Sequence, residues 1–152
     1  MKITIGADHA GCSYKAEIIK YLSSSGCEVI DVGTSSSESS DYPDFGKNGA
    51  ELVSAGKTDM AVLLCGTGIG MSITANKIKG IRAALCWNEE TARLARQHND
   101  ANVLCMGARL LSLKECINIL NVFLNTEFIK EEKYIRRVKK IAKIDEGRII
   151  CE

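Results

Sequence analysis

A short apolar run that ends directly in a glycine-rich loop is the feature that most constrains the fold. Residues 60–64 read Met-Ala-Val-Leu-Leu, and Cys65-Gly66-Thr67-Gly68-Ile69-Gly70 follows without a break. A continuous apolar run of this kind is typical of a strand that is buried on both faces. Glycines let main-chain N–H groups approach a ligand, and the start of a helix favours anions and thiolates. We therefore predict a buried strand that delivers the Cys65 thiol to an anion-binding loop.

Four further strands alternate with helices along the chain. The predicted strands are residues 3–5, 27–32, 60–64, 82–86 and 102–106. The predicted helices are one ending before Gly26 and the ranges 42–55, 69–78, 88–97, 112–124 and 127–144. This alternation predicts one α/β domain over residues 1–152, a three-layer α/β/α sandwich. We expect its five-stranded parallel sheet to be Rossmann-like, with an extended C-terminal helix.

Polar residues follow the strands or the helices after them, where a ligand would bind in a parallel α/β sheet. These candidates are Asp8, His9, Cys65, His98, Asn99 and Arg109. Ligands bind outside the carboxyl ends of such strands, at the point where strand order reverses. We expect the candidates to meet at that edge, with Asp8, His9 and Cys65 in one crevice if the first and third strands are neighbours. The ordinary alternatives stay open: Asp8 as a helix cap, and the histidines and Arg109 as surface residues.

Composition excludes several classes of function. The net charge of +1 and an aromatic content of 5% argue against nucleic-acid binding. No apolar run reaches the length of a membrane span, and Asp8 falls too early for a signal peptide. The seven cysteines contain no CxxC pair, so we expect neither disulfides nor a metal site, and read all except Cys65 as small hydrophobic residues. We expect a soluble, cytoplasmic protein.

Two further patterns, a glycine-rich loop and a basic helix, each resemble more than one kind of binding site. Gly66 to Gly70 lacks the GxGxxG spacing of a dinucleotide site and the lysine of a P-loop, so we predict neither. Lys133 and Arg137 lie one helical turn apart on a basic helix, where they form either a phosphate clamp or part of a solvated face.

Motifs along nearly the whole chain resemble the ribose-5-phosphate isomerase B family, whose wider group includes galactose-6-phosphate and allose-6-phosphate isomerases. The matching segments are residues 6–11 (Gly-Ala-Asp-His-Ala-Gly), 41–44 (Asp-Tyr-Pro-Asp), 65–70, 75–77 (Ala-Asn-Lys), 80–83 (Gly-Ile-Arg-Ala), 96–102 (Arg-Gln-His-Asn-Asp-Ala-Asn) and 107–109 (Gly-Ala-Arg). The resemblance implies an aldose–ketose isomerase that interconverts ribose 5-phosphate and ribulose 5-phosphate through an enediolate, in the pentose phosphate pathway. It implies no metal and no other cofactor.

The resemblance also implies roles for individual residues. Cys65 matches the base that moves the proton, Thr67 would bind the reacting oxygens, and His98 matches the residue that opens the sugar ring. Asp8 would relay protons or bind substrate hydroxyls. The implied substrate-binding residues, besides Asp8, are His9, Gly66, Thr67, Gly68, Ile69, Gly70, Asn99, Arg109, Lys133 and Arg137.

The expected phosphate ligands carry one departure from the family pattern. Arginine followed by histidine is usual at positions 133 and 134, and this chain has Lys133 and Tyr134. Lysine keeps the charge but loses the bidentate fork of arginine. The resemblance implies a homodimer or a dimer of dimers with shared sites, in which a partner chain supplies His98 and Arg109.

Two alternatives to a pentose phosphate isomerase stay open. The first is the same chemistry on a hexose 6-phosphate, which the change at Lys133 and Tyr134 and the serine-rich loop over residues 35–40 leave possible. The second is a non-catalytic phosphosugar-binding module. Retention of both Cys65 and His98 argues against this second alternative.

Overall fold

The computed structural model describes residues 1–147, in which five strands alternate with helices; Cys151 lies outside these residues. The strands are β1 Lys2–Ala7, β2 Glu28–Asp31, β3 Met60–Cys65, β4 Ala83–Leu85 and β5 Val103–Gly107. The helices are α1 Cys12–Ser24, α2 Tyr42–Ser54, α3 Ile69–Ala75, α4 Glu89–Asn99, α5 Leu113–Asn125 and α6 Glu132–Asp145. The predicted α/β fold is confirmed.

All strand pairs in the sheet are parallel, in the order β2-β1-β3-β5-β4. The chain leaves β1 toward β2 on one side and returns to β3 on the other, so strand order reverses between β1 and β3. Ala7 pairs with Leu64, and Cys65 pairs with Gly107. The ends of β1, β3 and β5 therefore lie side by side, with the crevice between β1 and β3 where it was predicted.

Helices cover both faces of the sheet because its central strands are apolar on both sides. Along β3, Val62 and Leu64 face the layer formed by α1, α4 and α5. Leu63 and Cys65 face the layer formed by α2 and α3, where they pack with Met71. Each fully buried Leu or Met contributes about 1.5–3 kcal/mol to folding, so this core fixes the register of β3 and hence the position of Cys65.

Two helix boundaries differ from the predicted ones by three residues or more. Helix α3 ends at Ala75 and not at residue 78, because the main chain beyond it tightens: the Lys77 N–H donates to the Thr74 carbonyl and the Ile78 N–H to the Ala75 carbonyl, both at 3.0 Å. The Asn76 side chain joins this turn to β4, since its Nδ2 donates to the carbonyls of Ser72 and Ala83 and its Oδ1 accepts the Ala83 N–H. Helix α6 begins at Glu132 and not at residue 127, because the preceding segment is extended and its Ile129 N–H donates to Gln97 of α4.

No helix within residues 1–147 is long and apolar enough to cross a membrane.

Candidate active site

Cys65 is the last residue of β3, and its thiol lies at the mouth of the glycine-rich loop. The residue is 4% exposed, and its Sγ accepts a hydrogen bond from the Gly68 N–H at 3.1 Å. Helix α3 begins at the next residue, Ile69. An N–H donor and the positive end of a helix both stabilise a thiolate. The loop therefore holds Cys65 as a prospective base.

Gly68 makes this loop geometrically possible. Its φ of +78° lies in the left-handed region that favours glycine. A Cβ at this position would come within 2.6 Å of the Leu85 side chain and 2.8 Å of the Met106 carbonyl carbon. The loop is thus pressed against β4 and β5, and only glycine lets its N–H reach the sulfur.

Two main-chain N–H groups of the loop are already used within it. Gly68 donates to Cys65, and Ile69 donates to Thr67 Oγ1 at 3.3 Å. The predicted anion cradle of residues 66–70 is therefore narrowed to the N–H groups of Gly66, Thr67 and Gly70, together with the exposed Thr67 hydroxyl.

Asp8 lies beside Cys65 because β1 and β3 are paired neighbours. Its N–H donates to the carbonyl of Leu64 at 3.2 Å, and the residue is 5% exposed. Its Oδ1 accepts the N–H groups of Ala10 and Gly11 at 2.9 and 3.2 Å. Asp8 therefore holds the turn that precedes α1, and the alternative that it caps this helix is wrong, because the N-cap residue of α1 is Gly11, which has no side-chain cap. Because both bonds use Oδ1, its Oδ2 is the oxygen that can serve a substrate.

His9 follows Asp8 at the same edge and is held by the serine-rich loop. Its N–H donates to Ser40 Oγ at 3.2 Å, and its Nδ1 accepts the Ser40 N–H at 3.2 Å. An imidazole whose Nδ1 accepts a hydrogen bond carries its proton on Nε2 when neutral. His9 can therefore donate from Nε2 to an anion.

Arg109 lies against the glycine-rich loop of its own chain. Its N–H donates to the Gly66 carbonyl at 3.0 Å, and the neighbouring Ala108 N–H donates to the Cys65 carbonyl at 2.9 Å. A Cβ on Gly66 would lie 3.3 Å from Nη1 of Arg109. The turn after β5 therefore packs directly on the loop after β3, which places Arg109 beside the glycine-rich loop of its own chain; its supply by a partner chain, which the resemblance implies, stays a prediction.

His98 and Asn99 lie at the opposite edge of the sheet from Cys65, so the expected meeting of all the candidates at one edge is wrong for these two. They end α4, which runs back from the end of β4 to the start of β5. Arg82, which precedes β4, donates from Nε to the Asn99 carbonyl at 3.0 Å. The rise of β5 separates this turn from the level of Cys65 by roughly 16 Å.

Two arginines hold the turn that carries His98 and Asn99. Arg96 Nη1 donates to Asp100 Oδ1 at 2.9 Å and to the Ala101 carbonyl at 2.6 Å, and Arg82 Nη2 donates to Asp100 Oδ2 at 3.0 Å. Asp100 itself has a left-handed backbone, with φ of 45°. Arg96 is 9% exposed, so its guanidinium is held by these bonds within the fold and ties the turn to the body of the chain.

Helix α6 adds a second group of candidates at this opposite edge. The Tyr134 ring stacks on the His98 ring, with centroids 4.3 Å apart and planes 10° from parallel. Lys133 is bonded to Glu131 at 2.8 Å, which raises the pKa of Lys133. Arg137 is exposed one turn further along. One chain thus carries two half-sites: the loop half-site (Asp8, His9, Cys65–Gly70, Arg109) and the helix half-site (His98, Asn99, Lys133, Arg137).

Sequence reasoning gave no role to Ser40 or Tyr42. Tyr42 begins α2, and a Cβ on Gly70 would lie 2.5 Å from its ring. The Tyr42 ring therefore forms one side of the loop half-site. The 41–44 motif was the available signal for Tyr42. Ser40 is one serine among several in its loop, so no sequence pattern distinguishes it.

Three other buried cysteines have thiols with raised pKa values. Burial raises the pKa of Cys86 and of Cys116 to about 11, and it raises the pKa of Cys105 well above the usual range. These thiols stay protonated at neutral pH, as expected of small hydrophobic residues. Within residues 1–147, no three His, Cys, Asp or Glu side chains are grouped so that they could hold a metal ion.

Comparison with known proteins identifies the family of this fold and site. Residues 3–141 match the Ribose/Galactose Isomerase family model, so the chain belongs to that family and is a sugar-phosphate aldose–ketose isomerase. It is 43% identical over 147 residues to ribose-5-phosphate isomerase B of Escherichia coli K12, covering 97% of this chain and 98% of that protein.

Two other relatives are also similar to this chain. The galactose-6-phosphate isomerase subunit LacB of Clostridium acetobutylicum is 42% identical over 151 residues, covering 97% of this chain and 87% of that protein. A crystal structure of ribose-5-phosphate isomerase B from Mycoplasma genitalium with bound ribulose 5-phosphate superposes with a TM-score of 0.92 at 38% identity, covering 97% of each chain.

Proposed function

We propose that this isomerase interconverts ribose 5-phosphate and ribulose 5-phosphate with Cys65 as the base. The observation that carries the proposal is the Cys65 thiol at the end of β3, bonded to the Gly68 N–H at the β1–β3 crevice. The identity to ribose-5-phosphate isomerase B of E. coli and the ribulose 5-phosphate bound to the M. genitalium relative support the choice of substrate.

The Cys65 thiolate would move one proton between neighbouring carbons. It takes the proton from C2 of the open-chain aldose, and the released electron pair forms the C1–C2 double bond while O1 becomes an oxyanion. Proton transfer between O1 and O2 follows, and the thiol returns its proton to C1 as the C2 carbonyl forms. The step is redox-neutral overall, so a base and oxyanion donors suffice for it.

The loop would stabilise the negative charge that develops on the reacting oxygens. Donors are required where the charge appears, and the available ones are the N–H groups of Gly66, Thr67 and Gly70 and the Thr67 hydroxyl. Loss of one such donor typically costs about 10²–10³-fold in rate. Asp8 Oδ2, adjacent to Cys65 across the β1–β3 pair, would bind the substrate hydroxyls or carry protons between them.

The helix half-site of a second copy would complete each centre. His98 would open the furanose ring, and Asn99 would hold a sugar oxygen. The phosphate would lie between His9 and Arg109 of one chain and Lys133 and Arg137 of the other. Because the two half-sites of one chain lie at opposite edges of its sheet, a two-fold dimer can join each loop half-site to the other chain's helix half-site.

The exposed apolar surface favours such a dimer, alone or within a dimer of dimers. Ile69 and Ile73 on α3 are 51% and 57% exposed, and Leu110, directly after Arg109, is 70% exposed. On α6, Ile135, Val138 and Ile141 form a stripe that its own chain leaves partly uncovered. Apolar side chains grouped around an incomplete site are typical of a protein interface.

The proposed setting is the pentose phosphate pathway in the cytoplasm. The thiols of the six cysteines within residues 1–147 are all free, which is usual in a reducing compartment.

Turnover of purified protein on ribose 5-phosphate, allose 6-phosphate and galactose 6-phosphate tests the proposal. We expect the pentose to have the highest kcat/KM and Cys65→Ala to lose turnover while it still binds substrate. Cys27→Ala, which removes a thiol from the residue before β2, is the matched control and keeps its activity. Preference for a hexose phosphate would replace the substrate but not the base, and the 42% identity to LacB makes that the second candidate. Wild-type turnover by Cys65→Ala would refute the base assignment.

A further inference from the structure

The serine-rich loop of residues 35–40 and its flanking residues, together 33–41, form a series of turns that side-chain hydrogen bonds close. Thr34 Oγ1 accepts the Ser36 N–H at 3.0 Å, and Ser36 Oγ accepts the Glu38 N–H at 3.0 Å. Hydroxyls that accept the N–H two residues further on replace main-chain turn bonds. This pattern gives the segment a defined path across the end of the sheet.

The start of the loop is fixed to the end of β1. Lys15, which is 4% exposed, places its Nζ 2.6 and 2.8 Å from the two carboxylate oxygens of Asp31, and Asp31 Oδ1 also accepts the Gly33 N–H at 2.9 Å. A Cβ on Gly33 would lie 2.5 Å from the Ala7 nitrogen. The loop therefore leaves β2 packed directly on the end of β1, which leads into Asp8 and His9 of the loop half-site.

The far end of the loop closes on His9 through a reciprocal pair of hydrogen bonds. The His9 N–H donates to Ser40 Oγ, and the Ser40 N–H donates to His9 Nδ1, both at 3.2 Å. The two bonds fix different parts of His9. The first fixes its main chain, and the second selects the neutral tautomer that has its proton on Nε2.

We propose that Ser40 is a positioning residue that orients His9 for the substrate phosphate, an inference that rests on the proposed function. With Nδ1 occupied by Ser40, the imidazole has one donor left, the Nε2–H, and it meets the phosphate in a single orientation. The Ser40 hydroxyl keeps the loop close enough for this bond to form. Without it, the loop end moves away and His9 samples both tautomers, of which only one donates from Nε2.

The test combines kinetics with nitrogen NMR of the histidine side chains. The chain has only two histidines, so His9 and His98 are readily assigned in protein labelled with ¹⁵N-histidine. We expect neutral wild-type His9 to show a protonated Nε2 and an unprotonated Nδ1. Ser40→Ala should mix the two tautomers and raise KM for ribose 5-phosphate by about 3- to 10-fold, the usual effect of one lost hydrogen bond, with a smaller change in kcat.

Two variants separate positioning from general damage to the loop. Ser40→Thr keeps the hydroxyl and should restore both the tautomer and KM. Ser37→Ala, at an exposed serine of the same loop, should leave both unchanged. Binding of inorganic phosphate, followed through the His9 signals, should weaken in Ser40→Ala by the same factor as KM. This readout needs no turnover, so it remains valid if the protein isomerises a different sugar phosphate.

Several results would overturn the proposal. A wild-type His9 that carries its proton on Nδ1 when neutral contradicts the hydrogen bond from the Ser40 N–H to Nδ1, and this result needs no variant. Equal KM values for Ser40→Ala and Ser37→Ala contradict it as well, whether or not the tautomer shifts. Absence of sugar-phosphate turnover together with the expected tautomer and phosphate results would instead remove the proposed function and leave Ser40 as the residue that positions His9 for an anion.

Discussion

Mixing two inactive variants should restore activity if each centre takes one half-site from each of two chains. Cys65→Ala lacks the proposed base in the loop half-site, and His98→Ala lacks the proposed ring-opening group in the helix half-site. Loss of an acid–base group costs about 10²–10⁴-fold, so each variant alone should be nearly inactive on ribose 5-phosphate. Because roughly 16 Å separates the levels of the two groups in one chain, neither chain can repair itself.

The recovered activity follows from the symmetry of the dimer. After equal amounts of the two variants exchange subunits, about half of the dimers are mixed. In each mixed dimer, one centre pairs intact Cys65 with intact His98 and the other centre lacks both. Half of the dimers with one of two centres intact gives about a quarter of the wild-type activity per chain.

The assay is ketose formation from ribose 5-phosphate after subunit exchange, with mixed dimers counted by native mass spectrometry. The control mixes Cys65→Ala with a chain that carries both Cys65→Ala and His98→Ala, because none of its dimers contains an intact centre. No recovery in a sample that contains the mixed dimers would refute the shared centre.

Three further results are expected. Gly68→Ala should lower stability by about 1–3 kcal/mol more than Gly80→Ala in urea unfolding, because both have left-handed φ but only Gly68 would clash; equal losses would contradict this packing argument. Ser112→Ala should cost about 1 kcal/mol by removing the cap of α5; no loss in thermal unfolding would contradict the cap. Hydrogen bonds from Ser112 lower the pKa of Glu115 below its ordinary value, so the stability it adds over Glu115→Gln should be present at neutral pH and be lost in acid, as the pH falls through that lowered pKa. A difference that persists in acid would contradict this linkage.

The sequence was sufficient to predict the fold and the position of Asp8 beside Cys65. The apolar runs have the length and periodicity of buried strands, and the parallel sheet brings Asp8 and Cys65 together once β1 and β3 are neighbours. These are local signals combined with one topological rule. The same rule misplaced His98 and Asn99, because the end of a crossover helix lies at the opposite edge from the end of the strand before it.

Other features depend on contacts that no local pattern encodes. The start of α6 is set by a bond between Ile129 and Gln97, and the turn that follows α3 is joined to β4 by the bonds between Asn76 and Ala83. The hydrogen bonds between His9 and Ser40 join residues that are 31 positions apart. Such pairings become visible only when the fold has brought the two segments together.

The bonds between the turn after β5 and the loop after β3 make one rigid unit of Cys65 and the main chain of Arg109, through Ala108 to Cys65 and Arg109 to Gly66. In the proposed dimer, this unit would set one end of the distance between the reacting carbons and the phosphate. Each added sugar carbon lengthens that distance by about 1.5 Å. The other end would be α6 of the second chain, where Lys133 and Arg137 would bind the phosphate. Selection between a pentose and a hexose would then depend on the position of α6 in one chain relative to the loop after β3 in the other.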